Sequence, residues 1–77
     1  MMEKIEEVLT LALNGTDIVE LCRGTGLKPE KCRRLLTFLQ GKRQLLISHK
    51  SRWLYYTTSR GRKFLDGLKE LEAGNSG

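Results

Sequence analysis

The chain has 77 residues, of which 39% are hydrophobic and 30% charged, and it carries a net charge of +5. This length allows one domain with a single small core, and the composition is too apolar for a chain disordered throughout. No apolar run approaches the roughly 18 residues of a membrane span, and the acidic start lacks the apolar stretch of a secretory signal, so a cytoplasmic, membrane-free protein is expected.

Residues 3–13 read as an amphipathic helix. Ile5, Val8, Leu9, Ala12 and Leu13 share one face, and Glu3, Glu6 and Glu7 face away. The acids suit the positive end of the helix dipole, and Asn14-Gly15 ends the helix. Thr16 or Asp17 then caps a short second helix, with Glu20 placed to support the cap. Ile18, Leu21 and Cys22 form its buried stripe. Gly24-Thr25-Gly26 makes a tight turn, with Leu27 tucked beneath it.

The third helix runs from Pro29 to Gly41. Proline suits the first helical position, where no backbone donor is needed. Cys32, Leu35, Leu36 and Leu39 make the apolar stripe. The opposite face carries Glu30, Arg34, Thr37 and Gly41, with Lys31 and Phe38 on one flank and Arg33 on the other. Gly41 and the polar run Lys42-Arg43-Gln44 end the helix.

The period then changes. Leu45-Leu46-Ile47-Ser48 and Trp53-Leu54-Tyr55-Tyr56-Thr57 flank the polar stretch His49-Lys50-Ser51-Arg52, which signals a hairpin over residues 45–57. Alternation puts Trp53, Tyr55 and Thr57 on one face, and Leu54 and Tyr56 on the other. A lone hairpin is marginal, so it must pack on the helices. Thr58 caps a last helix to about Glu72, with Phe64, Leu65, Leu68 and Leu71 as its stripe. The domain is expected over residues 1–72, followed by a frayed tail over 73–77.

This order, three helices, a two-stranded wing and a C-terminal helix, describes a mostly α member of the α+β class. It is the winged helix-turn-helix. The chain resembles the small archaeal winged-helix regulators, including the ten-kilodalton crenarchaeal chromatin proteins. The resemblance covers roughly residues 4–72. It rests on the leucine-rich third helix, the strand pair and a Tyr-x-x-Thr-x-x-Gly-x-x-Phe-Leu signature. That signature stands here as Tyr55, Thr58, Gly61, Phe64 and Leu65. Two features depart from the family. Arg43 stands near the helix–wing junction, where a glycine is common. The last helix is expected to stop short of the long dimerising coiled coil that the family often builds.

Charge supports the reading the resemblance implies. Residues 1–22 balance to −4 and residues 64–77 to −2. Residues 23–63 carry twelve Lys or Arg against the single acid Glu30, a balance of +11. A merely solvated surface scatters its signs, whereas concentrating one sign attracts a polyanion. Double-stranded DNA is the expected partner, which would make the chain a nucleoid-associated transcription regulator or chromatin factor. The third helix fits the major groove, where Lys31, Arg34 and Thr37 are best placed for bases. Lys28, Arg33, Lys42 and Arg43 add charge around that helix. Lys50 and Arg52 mark the wing tip, and Arg60, Arg62 and Lys63 start the last helix.

Other readings compete. A winged helix can instead be a protein-interaction module, using Trp53, Tyr56, Leu65, Leu68 and Leu71 for a homodimer or another partner. The aromatic residues and the Leu65, Leu68 and Leu71 stripe read first as core packing, and a partner surface comes second, with Leu68 and Leu71 placed to pair with a second copy. RNA binding fits less well, because the aromatics form no stacking platform. Cys22 and Cys32 fall on stripes facing one core and read first as buried free thiols, then as a disulfide. Two cysteines with one histidine make a poor zinc set. His49 reads as an exposed turn residue near phosphate. No catalytic set is present, and Gly24-Thr25-Gly26 lacks the lysine of a nucleotide loop. No enzyme activity, cofactor, metal or small-molecule ligand is expected.

Overall fold

The computed structural model describes residues 2–49 and 52–76, with side chains described as far as Glu72. Its elements are α1 (Met2–Leu11), α2 (Ile18–Thr25), α3 (Pro29–Gly41), β1 (Leu45–His49), β2 (Trp53–Thr57) and α4 (Ser59–Ser76). This is a winged helix-turn-helix.

The apolar stripes of α1, α2, α3 and α4 converge. Ile5, Val8, Leu9, Ala12, Leu21, Cys32, Leu35, Leu36, Leu39, Leu45 and Leu65 form one core. Each fully buried leucine contributes about 1.5–3 kcal/mol of transfer free energy. Leu65 is only 1% exposed, so its place is the core and not the partner surface. The reason is its position in the second turn of α4, where that helix crosses α1 and β2.

The turns are fixed by specific groups. Asp17 caps α2, with its side chain accepting from the Glu20 amide at 2.9 Å. Glu20 leaves the cap to Asp17 and pairs its own carboxylate with Arg23 at 3.2 Å. Gly26 ends α2 in the left-handed conformation, φ 70°. The Thr25 hydroxyl is buried and donates to the Leu21 carbonyl at 2.7 Å.

β1 and β2 pair antiparallel, with Leu45 opposite Thr57 and His49 opposite Trp53. The hairpin does not stand alone. Thr16 and Tyr55 exchange both backbone hydrogen bonds, at 3.0 and 2.7 Å, so the α1–α2 connection adds a third short strand edge. Tyr55 packs against the core, while the Tyr56 ring closes over Gly15. Gly15 has φ 90°, and a Cβ there would overlap that ring. Thr57 ties β2 to the end of α1: its hydroxyl donates to Leu9 O at 2.6 Å and its amide to Ala12 O at 2.9 Å.

α4 begins as its cap predicts, with the Thr58 hydroxyl accepting from the Gly61 amide at 3.0 Å. The helix is longer than expected, since its bounds include residues 73–76 of the anticipated tail. Residue 77 lies outside the described residues.

Cys22 is half-buried and Cys32 fully buried, and both are free thiols. Burial, then the neighbouring Cys22, push the Cys32 thiol up to about 12. Among the described residues, no cluster of metal-ligating side chains occurs, and no helix is long and apolar enough to cross a membrane.

Candidate nucleic-acid interface

α3 buries one face and leaves the other to solvent. Cys32, Leu35, Leu36 and Leu39 go inward, while Glu30, Lys31, Arg33, Arg34, Thr37 and Phe38 are exposed. Two shallow clefts flank Arg34. Pro29, Glu30, Arg33 and Thr37 line one. Lys4, Leu27, Lys31, Leu35 and Phe38 line the other. Arg34 lines both and is therefore the central cation of the exposed face. Its contact with Glu30 spans 3.7 Å between two largely solvated side chains. Such a pair is worth little and leaves the guanidinium free to turn to another acceptor.

Lys28 occupies the cap position of α3 with no side-chain acceptor, so the amides of the first turn have no side-chain cap there. Lys42 sits at the other end, its ammonium 5.7 Å from the Phe38 ring centroid. Arg43 follows with φ 60°, a left-handed conformation that glycine adopts more cheaply. The Arg43 carbonyl accepts from the Thr58 hydroxyl at 2.6 Å. That bond joins the exit of α3 to the start of α4, where Arg60, Arg62 and Lys63 are all exposed.

The wing is less uniformly basic than its sequence implies. Arg52 reaches back to Asp17 at 3.6 Å, so part of its charge supports the cap of α2. Lys50 lies outside the described residues. The His49 and Trp53 rings lie in contact, centroids 4.5 Å apart and planes tilted by 44°, and Trp53 is 60% exposed. Of the other proposed partner residues, Tyr56 and Leu68 are half-buried and Leu71 is 66% exposed.

Two residues join the site that the sequence reading left out of it. Lys4 belongs to the acidic α1, yet it lines the same cleft as Lys31 and Arg34. Its ammonium donates to the Thr25 carbonyl at 2.7 Å and pairs with Glu7 at 3.2 Å. Phe38 is 50% exposed in that cleft, one of several large apolar side chains at the surface but the one set among cations of α3.

No family model and no curated protein sequence matches the chain. Among solved structures it is similar to Bordetella bronchiseptica BpsR, a protein whose DNA binding is regulated by 6-hydroxynicotinic acid. The TM-score is 0.74 at 19% sequence identity, over 91% of this chain and 54% of that one. At that identity the likeness shows the fold, and the chain spans about half the length of the structure it matches.

Proposed function

We propose that the chain binds double-stranded DNA and acts as a transcription regulator or local chromatin factor. In this reading α3 enters the major groove and the hairpin serves as a wing along the backbone. One observation carries it: the exposed face of a helix-turn-helix second helix presents Lys31, Arg33 and Arg34, and the only acid on that helix is the loosely paired Glu30. Arg34 is suited to a guanine edge, and Thr37 to a base or phosphate. The uncapped amides at Lys28 suit a phosphate oxygen. Lys42, Arg43, Arg60, Arg62, Lys63 and the wing cations Lys50 and Arg52 supply the sequence-independent part. The DNA binding of BpsR, on the same fold, supports the reading, as does the resemblance to archaeal chromatin proteins.

Trp53 and Leu71, both well exposed, favour a second reading, in which the chain is an interaction module or pairs with a second copy. Fluorescence anisotropy with a labelled duplex separates the two. For DNA binding, Arg34→Ala and Arg62→Ala each weaken the complex at least severalfold, whereas Trp53→Ser does not. Unchanged affinity in both arginine variants would move the function to the protein interface.

A further inference from the structure

Phe38 is an exposed apolar ring with cations around it. The ring is half exposed, on the helix that also carries Lys31 and Arg34, with Lys42 at its C-cap. At 100° per residue, Lys31, Phe38 and Lys42 fall within about 40° of arc, with Arg34 about 40° further round. The cleft holding Phe38 is lined by the apolar Leu27 and Leu35 and by Lys31, Arg34 and Lys4, the last already engaged by Glu7 and the Thr25 carbonyl. No acidic side chain lines it. An apolar ring framed by positive charge matches an apolar group framed by negative charge.

In the DNA major groove one base substituent fits that description. The thymine C5-methyl is the groove's apolar handle, and phosphates stand on either side of it. The dimensions favour a groove over a small anion. From Lys31 to Lys42 the stripe runs about 16 Å, at 1.5 Å per residue. That length matches several base steps at about 3.4 Å each. A small amphipathic acid would engage only one end of it.

We propose that Phe38 is a specificity-determining residue that reads a thymine methyl, with Lys31, Arg34 and Lys42 holding the flanking phosphates or base edges. The inference rests on the DNA-binding reading above and sharpens it. The thymine contact falls to Phe38, beside Thr37, and the preferred targets contain thymine at a fixed step from the base that Arg34 contacts.

The test uses the full chain and a duplex recovered by selection from a random pool. Anisotropy is then measured on that duplex and on versions with single thymines replaced by deoxyuridine, which removes only the methyl. The wild type should lose about three- to fivefold at one position, the size expected for one buried methyl. Phe38→Ala should bind the thymine and deoxyuridine duplexes equally, with its salt dependence unchanged. Phe38→Leu, which keeps an apolar contact, should retain part of the preference. Circular dichroism confirms that each variant is folded. A wild type indifferent to every methyl, or a Phe38→Ala variant that still discriminates, overturns the inference and leaves DNA binding intact. Self-association that Phe38→Ala abolishes, without thymine preference, assigns the ring to a contact between copies and also overturns it. Absence of duplex binding altogether overturns both readings.

Discussion

The Thr58 hydroxyl donates to the Arg43 carbonyl at 2.6 Å while accepting from the Gly61 amide at 3.0 Å. One side chain thus fixes both the exit from α3 and the entry to α4. The Thr58 amide completes the link by donating to Gln44 O at 3.0 Å. Thr58→Ala should cost about 1–2 kcal/mol, the usual size of a lost cap. Thermal melting should show a fall of about 4–8 °C per kcal/mol. Thr58→Ser, which keeps the oxygen, should stay close to the wild type.

Gly61 is needed for space. A Cβ there would sit on the Gln44 carbonyl oxygen and 2.9 Å from Thr57 Cγ2, and backbone cannot swing aside. Gly61→Ala should therefore destabilise by about 1–3 kcal/mol, as overpacking does. Gly67, in the same helix, meets nothing within 4 Å. Gly67→Ala should stabilise by about 0.5–1 kcal/mol through helix propensity. Urea unfolding of the two variants should move in opposite directions.

Arg43 sets stability against binding. Its left-handed backbone disfavours any side chain by about 1 kcal/mol or more, so Arg43→Gly should raise the melting temperature. The same change removes a cation beside α3. If that cation meets a phosphate, duplex affinity should fall and the salt slope should shrink by about 1. Melting and anisotropy on one preparation check both halves.

Glu6 should make the α1–α4 contact sensitive to pH. Its carboxyl is raised above 4.5, first by a hydrogen bond with Glu72, then by burial and by the charges of Glu72 and Glu3, with Lys69 opposing. A raised folded value means the protonated form fits the native state better. That contribution is full below the ordinary carboxylate range and is lost as pH rises through the raised value. Glu6→Gln, neutral throughout, should melt above the wild type at neutral pH, and the gap should narrow toward about pH 4. Parallel melting curves across that range check the sign. A constant gap would contradict it.

Much of this fold was legible in the sequence because local chemistry and tertiary packing agree. The bounds of α3 follow from Pro29 and Gly41, and the start of α4 from Thr58. What escaped depends on partners distant in the chain. Thr16 pairs with Tyr55 as a single residue, too short for any alternating pattern. Lys4 looked like part of an acidic helix because periodicity gives a residue's own face, not what lies opposite. Leu65 reads both as core and as a partner candidate because its stripe continues to the exposed Leu71, and the packing of α4 on α1 and β2 separates the two. The site was legible as charge and as a helix face. The place of Phe38 among the cations was not, because the flank of a helix is settled by what packs beside it.

In the proposed complex α3 and the cations around it hold a duplex by its phosphates. The most direct test is the slope of log K against log salt for one duplex, measured for the wild type and for Arg62→Ala. About six phosphate contacts predict a slope near −5, and one contact fewer in the variant should bring it about 1 closer to zero. A slope near zero in the wild type would contradict the claim.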